Sequence, residues 1–411
     1  MNKYLIVSNP ELHQNFPKLF RNQNSKTIAI GFTKSSLSED KYVDEFRLMK
    51  AGSGDEFIQS VINNKKLLKE LNGLILWGDD EIMYQIANSK IAQTLKLRIL
   101  PVRKQIGLQI LGSKVGQSKI FKNLELKTPK TEIIKSANQL KQRLKNFQGP
   151  FIIKGDRLGG GALVRKYESR KGLSLKDVDE SWYPIVLQDF INGPVISVEA
   201  FFKKGKLVAW IYSAYEGALG EFGPSFLRTY KNPSNLDFEA DLIKLADHCG
   251  LDGMFNCTYI LSGSSHYLIE ADGRPNSWHF LFDHFKLPIM QIYQGEMPLP
   301  NSPLSPKIDP NKSEKIIDLN RSINHAINQK DKKLYFYSIL KLFNSTNWIS
   351  GRRIQLIKQI ARGFKTLYPF SLRKGSFLLL VKTFRKLPVT WQKPFKKSGA
   401  TKFIAHTIFR L

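Results

Sequence analysis

Residues 268–275, Leu268-Ile-Glu-Ala-Asp-Gly-Arg-Pro, place two carboxylates and an arginine at alternate positions after an apolar run. On a β-strand, residues i and i+2 point to the same face, so Glu270 and Asp272 lie side by side. Neighbouring carboxylates repel each other unless a cation such as Mg²⁺ lies between them, and Arg274 suits an anion held against that metal. The segment therefore predicts a metal and phosphate site, although a strand end with ordinary solvated charges also fits this segment taken alone.

Length and composition indicate a soluble α/β protein of two or three domains. The chain has 411 residues, of which 42% are hydrophobic, and no apolar run approaches the roughly 20 residues that cross a bilayer. Its first residues predict a β-strand and lack the apolar core and cleavage site of a signal peptide. Buried strands are predicted at residues 4–7, 27–31 and 73–78, and a further strand at residues 98–100; the acids Asp79, Asp80 and Glu81 predict the start of a helix. Cys249 and Cys257 form neither a disulfide framework nor a zinc pattern, which predicts a cytoplasmic protein.

A lysine strand and a glycine triplet precede this motif in the chain. Gly149-Pro-Phe-Ile-Ile-Lys154 is an apolar strand that ends in a cation, and Gly159, Gly160 and Gly161 follow it. Glycines let backbone N–H groups approach phosphate oxygens, and Lys154 adds a charge to the same phosphates. A flexible turn is the alternative interpretation.

Further strands lie between these two motifs. Ile185-Val-Leu-Gln188-Asp-Phe-Ile191 leads from a strand to a polar pair, which suits a planar base or is an ordinary strand end. Residues 195–202 and 206–213 predict a hairpin, and residues 256–270 predict a second one that delivers Glu270 and Asp272.

The order of these motifs resembles the ATP-grasp superfamily, specifically its carboxylate–amine ligase and carbamoyl-phosphate-synthase-like branch. The resemblance implies an α/β fold that is α+β in the ATP-grasp part. It has an N-terminal α/β pre-ATP-grasp domain (1–110) and a two-lobed ATP-grasp domain (111–298). The nucleotide-binding lobe spans about 111–190, and the metal and acceptor lobe about 191–298. A proline-rich linker (299–313) and a basic, mainly helical C-terminal region (314–411) follow.

The resemblance also implies ATP and Mg²⁺ as cofactors and assigns roles to residues. Lys114, Lys154 and the loop Gly159, Gly160 and Gly161 match the phosphate-binding positions; Gln188, by its side chain, and Ile191, by its backbone, match the adenine-binding hinge. Glu270 and Asp272 match the two metal ligands, and Arg274 matches the arginine that faces transferred phosphate or substrate carboxylate. Arg228 matches an arginine of the acceptor loop, which otherwise is a plain connecting loop.

Three departures from the family pattern stand out. Asp272 replaces an asparagine, which adds negative charge, and Gly273 replaces a proline, which predicts a looser turn before Arg274. The acidic or glutamine ligand on the partner strand is replaced by a neutral residue, either Asn256 or Thr258. Neutral oxygen ligands are acceptable to Mg²⁺, since waters complete its shell.

The implied reaction is that of an ATP-dependent carboxylate–amine ligase, in which a small-molecule carboxylate becomes an acyl phosphate that an amine or similar nucleophile attacks. The alternative is an ATP-binding regulatory or scaffold protein with weak or no turnover, which the neutral third metal position favours. Trp278 and His279 either border the substrate or belong to the core.

The net charge of +28 is concentrated in the C-terminal region. No acidic residue follows Asp331, and 18 lysines and arginines lie between Lys332 and Arg410. Basic amphipathic stretches with aromatic residues suit an anionic membrane surface, so we expect peripheral attachment to the inner membrane face as one outcome. A helical appendage packed on the ligase domains is the other outcome; nucleic acid is not expected, because no base-reading motif accompanies the charge.

Overall fold

The computed structural model describes residues 2–7, 16–20, 25–31, 36–49, 54–64, 66, 68, 73–145, 149–157, 161, 163–173, 178–309, 311–341, 348–349, 359–360, 362–363 and 366–367. The chain divides into two structural units. The first comprises residues 1–215 and 230–313, and the second comprises residues 216–229 and 314–411.

The first unit begins with a parallel four-stranded sheet. Its strands are β1 (Asn2–Val7), β2 (Ser25–Gly31), β3 (Glu45–Leu48) and β4 (Ile75–Trp77), in the order β3-β2-β1-β4. Its helices are α1 (Phe16–Phe20), α2 (Gly54–Asn63), α3 (Asp80–Asn88) and α4 (Gln93–Ile99). Residues 4–7 of β1 have no solvent exposure, as expected for the central part of a parallel sheet that is buried on both faces.

The strand order reverses between β1 and β4, at the edge where helix α3 begins. The N–H of Gly78 donates to the carbonyl of Val7 over 2.9 Å, and Asp79 caps α3 by accepting the N–H of Glu81 over 2.8 Å. In open parallel sheets, ligands bind beyond the carboxyl ends of the strands at such a reversal. The acidic first turn of α3 therefore lies where this fold favours ligand binding.

The second part of the first unit is an antiparallel sheet with helices. It contains α5 (Lys114–Asn123), β5 (Thr131–Ile134), α6 (Ala137–Leu144), β6 (Phe151–Gly155), β7 (Val164–Tyr167) and β8 (Ile185–Asp189). The strand order is β5-β8-β6-β7. Alternate residues of β6 and β8, among them Phe151, Ile153 and Leu187, form its core with Leu140 of α6.

The third part carries the two predicted hairpins. Its strands are β9 (Val195–Lys203), β10 (Lys206–Ala218), β12 (Gly253–Ser262) and β13 (Ser265–Asp272); β11 (Ser225–Tyr230) lies between β10 and β12 in sequence. Its helices are α7 (Asp237–Cys249), α8 (Leu281–His284) and α9 (Ile289–Gln294). Strands β13, β12, β9 and β10 are antiparallel neighbours in that order, and the apolar face of α7, with Phe238, Leu242 and Leu245, packs on them.

The second unit has a small core of its own. Strand β14 (Glu314–Asp318) lies between β11 and β15 (Trp348–Ile349), and helices α10 (Leu319–Asn328) and α11 (Lys332–Lys341) follow β14 in sequence. Ile317, Ile323 and Tyr335 are buried in this core. Asp318 caps α10 by accepting the N–H of Arg321 over 3.1 Å.

Several expectations from the sequence are confirmed and two are wrong. The first two parallel strands, both hairpins and the helix that opens after Asp79 form as predicted. Arg98 to Leu100 is not a strand, because helix formers with apolar residues at Leu95 and Ile99 place residues 93–99 in α4. Residues 314–318 are a strand rather than the start of a helix, because Ile316 and Ile317 are buried in the sheet.

The remaining expectations concern the linker and the C-terminal region. In the predicted linker, Leu304 exchanges backbone hydrogen bonds of 2.9 Å with β10 at Trp210 and Val208. No helix in the described part of the chain is both long and apolar enough to span a bilayer. Most of residues 342–411, on which the membrane prediction rests, lie outside the described residues.

Candidate functional site

The β12–β13 hairpin places the two predicted metal ligands on one face of the sheet. In its register, Asp272 lies opposite Asn256 and Glu270 lies opposite Thr258. The amide of Asn256 donates to Oγ1 of Thr258 over 3.2 Å. Both candidates for the neutral third ligand therefore share a face with the two carboxylates.

Two lysines from the neighbouring lobe approach this face. Nζ of Lys114, the first residue of α5, lies 3.5 Å from Oε1 of Glu270. Nζ of Lys154, near the end of β6, donates to the carbonyl of Ile269 over 3.3 Å. The sequence separates these lysines by 40 positions, and the fold brings both to the residues that precede Asp272.

Arg274 joins the predicted metal motif, residues 268–275, to the N-terminal sheet. Its Nε donates to Oδ1 of Asp80 over 2.8 Å, and its Nη2 lies 2.8 Å from Oδ2 of the same carboxylate. Nη2 also donates to Oδ2 of Asp272 over 3.1 Å. The arginine is therefore held between a predicted metal ligand and the first residue of α3.

These charges shift one another's pKa values. The pKa of Lys154 is lowered to about 8, mainly by burial and also by Lys114, while Glu270 and Asp272 oppose the shift. Burial would also lower the pKa of Lys114, but Glu270, Asp272 and Asp80 outweigh it, so that this pKa is raised. The protonation of each of the three cations and three carboxylates in this cluster thus depends on the charge of the others. Such mutually shifted pKa values are common at functional sites.

The pKa of Asp272 is raised well above its usual range. Burial is the main cause, and the negative charges of Asp80 and Glu270 add to it against the opposing effect of Arg274. The pKa of Arg274 is raised although burial opposes this, because Asp80 and Asp272 stabilise the guanidinium. A divalent cation between Glu270 and Asp272 would favour the charged forms of both carboxylates.

The loop that carries Lys114 is fixed by the residue that follows the lysine strand. Asp156 accepts the hydroxyl of Ser113 and the N–H of Val115 through Oδ1, each over 2.8 Å, and its carbonyl accepts the N–H of Lys114 over 3.0 Å. One turn later, Gln117 donates to the carbonyl of Ala271 over 3.0 Å and accepts the Ala271 N–H over 3.1 Å. Helix α5 therefore holds the backbone between Glu270 and Asp272.

The predicted nucleotide-binding residues lie in the sheet of the second part. The side chain of Gln188 is buried and donates to Oγ1 of Thr131 over 3.0 Å, and Ile191 is half-buried just after β8. Gly161 has a φ of +77°, and its carbonyl accepts the N–H of Val164 over 3.2 Å. Gly159 and Gly160 lie outside the described residues.

Arg228 belongs to the second unit. Its guanidinium is buried, and Nε donates to Oγ of Ser225 over 2.6 Å. Its predicted role at the acceptor site stays a prediction.

Comparison with solved structures finds proteins of similar fold. N5-carboxyaminoimidazole synthetase from Staphylococcus aureus, solved with ADP, is 14% identical over 80% of this chain and 86% of that chain, with a TM-score of 0.58. The biotin carboxylase domain of Hydrogenobacter thermophilus 2-oxoglutarate carboxylase, solved with MgADP, ADP and bicarbonate, is 16% identical over 77% and 74%, with a TM-score of 0.58. L-amino acid ligase from Bacillus licheniformis is 15% identical over 78% and 80%, with a TM-score of 0.54.

The chain has the ATP-grasp fold. No protein-family model matches its sequence, and a sequence comparison with curated proteins finds no match. At these identities the structural likeness establishes the fold, and the roles of individual residues in this ATP-grasp protein stay predictions.

Two acidic residues near the candidate site were not predicted from the sequence. Asp80 was interpreted only as a helix-opening acid, although it comes three residues after strand β4, at the edge of a parallel sheet where ligands often bind. Glu199 is a lone acid in the apolar strand β9, and its burial is complete. Its Oε1 accepts the hydroxyl of Ser197 over 2.7 Å and the amide of Asn276 over 3.1 Å.

Glu199 belongs to a buried polar cluster beside the predicted metal ligands. Asn276 also donates to Oδ1 of Asn256, which links the loop after Arg274 to β12. Nδ1 of His279 lies 3.1 Å from Oδ1 of Asn276, and Nε2 of the same ring lies 3.0 Å from the Phe255 carbonyl oxygen. Trp278 and His279 are buried, which places both in the core rather than on an open surface.

Proposed function

We propose that this protein is an ATP- and Mg²⁺-dependent ligase that activates a small-molecule carboxylate as an acyl phosphate for attack by an amine or similar nucleophile. The observation that carries the proposal is the meeting of Lys114, Lys154 and Arg274 with Glu270 and Asp272 within an ATP-grasp fold. Carboxylates for a metal and cations for phosphate are the groups that phosphoryl transfer needs.

The residues present fit a magnesium ion. Glu270 and Asp272 would hold it, since a cation between the two carboxylates opposes the burial and the charge repulsion that raise the pKa of Asp272. When bound, Mg²⁺ neutralises charge on the phosphoryl oxygens. Within the described residues no group of three or more His, Cys, Asp or Glu side chains is placed to hold a metal. That agrees with two carboxylates and a neutral oxygen, because Mg²⁺ usually keeps several waters and phosphate oxygens as ligands.

The proposed chemistry has two steps. A carboxylate oxygen of the substrate attacks the γ-phosphorus of ATP; the bond to the β-phosphate oxygen breaks, and ADP leaves with its electron pair. The amine then attacks the acyl carbon, phosphate leaves, and the nitrogen loses a proton as the amide-type bond forms. Lys114, Lys154 and Arg274 would stabilise the charge on the phosphoryl oxygens in the first step.

The structural relatives support this reaction class. Two of them were solved with ADP, and a third is named as an amino acid ligase. In this chain the carboxylate and the amine are small molecules of unassigned identity, and Gln188 and Ile191 would contact the adenine.

The test compares turnover with binding. Release of ADP and phosphate is measured with MgATP and pooled carboxylates and amines, beside calorimetric titration of the same protein with MgATP alone. We expect both binding and ADP release that depends on a carboxylate. Binding without any turnover would instead assign the protein to the regulatory or scaffold class.

The basic C-terminal region adds a separate proposal about partners. Its 18 lysines and arginines, unopposed by acidic residues after Asp331, favour contact with an anionic membrane surface. Co-sedimentation with anionic but not with neutral liposomes is the expected result, and absence of lipid-dependent pelleting would remove this proposal.

A further inference from the structure

We propose that Asp80 is a positioning residue for Arg274, and that through this guanidinium it shapes the site of the terminal phosphate of ATP. The inference rests on the proposed function, because it takes Arg274 to face the transferred phosphate. It adds that the N-terminal sheet completes the phosphate site rather than only flanking it.

The contact between the two side chains is a forked ion pair that contains one hydrogen bond. Nε and Nη2 of Arg274 each lie 2.8 Å from a different oxygen of Asp80. Both side chains are largely buried, with 14% of Arg274 and 9% of Asp80 exposed. Such planar pairing fixes the orientation of a guanidinium as well as its position.

In this orientation Arg274 keeps N–H donors that are not bonded to Asp80 or Asp272. A guanidinium carries five N–H donors. Nε donates one hydrogen bond to Asp80 and Nη2 donates one to Asp272, while Nη2 also lies 2.8 Å from the second oxygen of Asp80. For Nη1 no hydrogen-bond partner is found within the part of the chain that the structure describes. The fork therefore holds the guanidinium with the two Nη1 donors available for an anion.

Asp80 is itself held by its backbone. Gly112 has a φ of +66°, and a Cβ at this position would lie 2.2 Å from the carbonyl oxygen of Asp80. Only glycine permits this approach, and the same segment continues through Ser113 into Lys114. Asp80 is thus fixed between the segment that carries one phosphate lysine and the arginine of the metal motif.

The next residue of the same helical turn supplies a matched control. Oε1 of Glu81 lies 3.3 Å from Nη1 of Arg157, whose side chain is half exposed. Glu81 also accepts the amide of Gln85 over 3.2 Å. Glu81→Gln removes the same charge from the same turn without touching Arg274.

The experiment compares two nucleotides on the full-length protein. Affinities for MgADP and for the magnesium complex of the non-hydrolysable ATP analogue AMP-PNP are measured by calorimetry, and their ratio reports contacts to the terminal phosphate. We expect Asp80→Asn to weaken AMP-PNP binding about tenfold, because the amide lacks the negative charge that holds Nε and Nη2, and MgADP binding by about twofold or less. Asp80→Glu should restore part of the ratio, and Glu81→Gln should leave it unchanged.

A double variant tests whether Asp80 acts through Arg274. Arg274→Met should lower the same ratio, and Asp80→Asn combined with Arg274→Met should match Arg274→Met alone. If Arg274→Met lowers the ratio while Asp80→Asn does not, this inference is wrong and the proposed function stands. If the wild-type protein binds neither nucleotide, the proposed function is wrong and takes this inference with it.

A measurement on the wild-type protein covers the case in which Asp80→Asn does not fold. The buried fork predicts a slowly exchanging Nε–H resonance of Arg274, assigned by its absence from the spectrum of Arg274→Met. Exchange as fast as that of an exposed arginine such as Arg143 would overturn the inference.

Discussion

Nζ of Lys114 lies 3.5 Å from Oε1 of Glu270, so the first residue of α5 is in ionic contact with a predicted metal ligand. Glu270 also raises the pKa of Lys154 against the effect of burial. One carboxylate thereby favours the charged form of both predicted phosphate-binding lysines, and its loss should be the most costly to function.

Replacement of Glu270 by alanine should abolish ATP turnover with little change in fold. The variant loses a metal ligand, and both lysines lose their nearest negative charge. ADP release and calorimetric titration with MgATP measure the functional loss, and circular dichroism checks the fold. Glu132→Ala is the control, because it removes an exposed ion pair to Arg143, which is worth about 1 kcal/mol or less. Near-normal turnover of Glu270→Ala would contradict the metal-site assignment.

Nucleotide affinity should fall as the pH rises through about 8. The pKa of Lys154 is lowered to about 8 by burial, so the free protein loses this positive charge above that pH. Phosphate favours the charged form and raises the pKa in the complex, so binding takes up protons near pH 8. Affinity should then decline by up to about tenfold per pH unit above 8 and be constant below about 7.

Calorimetry in buffers of different ionisation enthalpy measures this proton uptake directly. Lys154→Arg is the control, since an arginine stays charged throughout this range and should abolish the uptake. Equal uptake in both proteins would assign the titration to another group.

The local features of the site could be predicted from the sequence because each depends on residues only a few positions apart. Alternation of apolar and polar residues predicts the hairpin that carries Glu270 and Asp272, and the residues at its turn predict where it reverses. Helix α5 starts at Lys114 because the side chain of Ser113 accepts the N–H of Gly116 over 2.9 Å, a short-range cap of a kind that a sequence can also indicate.

Contacts between distant parts of the chain could not be predicted in this way. Asp80 and Arg274 are 194 positions apart, and only the strand reversal between β1 and β4 brings α3 to the metal motif. Gly273 shows the same limit. Its Cβ would lie 2.6 Å from Leu111, so this glycine fits a tightly packed position, which the expectation of a looser turn did not include.

Replacement of Gly112 by alanine should destabilise the protein more than the same change at Gly263. Both glycines have positive φ values, +66° and +59°, so both substitutions carry the backbone cost of about 1–2 kcal/mol. Only at Gly112 does the new Cβ meet backbone, at 2.2 Å from the Asp80 carbonyl oxygen, whereas Gly263 has open space around it. Denaturant unfolding of the two variants measures the free-energy cost of this close approach. Equal losses of stability would contradict the prediction and show that α3 moves to accommodate the new Cβ.

The neutral third metal ligand can be assigned by magnesium titration. Thr258 lies opposite Glu270 and Asn256 opposite Asp272, but Oδ1 of Asn256 already accepts from Asn276. Oδ1 of Asn256 also accepts the hydroxyl of Ser197, whereas Oγ1 of Thr258 accepts one hydrogen bond, from the Asn256 amide. We therefore expect Thr258→Val, which keeps the shape and removes the hydroxyl, to raise several-fold the Mg²⁺ concentration that half-saturates AMP-PNP binding. Asn256→Ala should mainly lower the free energy of unfolding, by about 1–3 kcal/mol, because it leaves Asn276 with a buried unsatisfied donor. A shift of the magnesium midpoint in Asn256→Ala alone would reverse this assignment and make Asn256 the ligand.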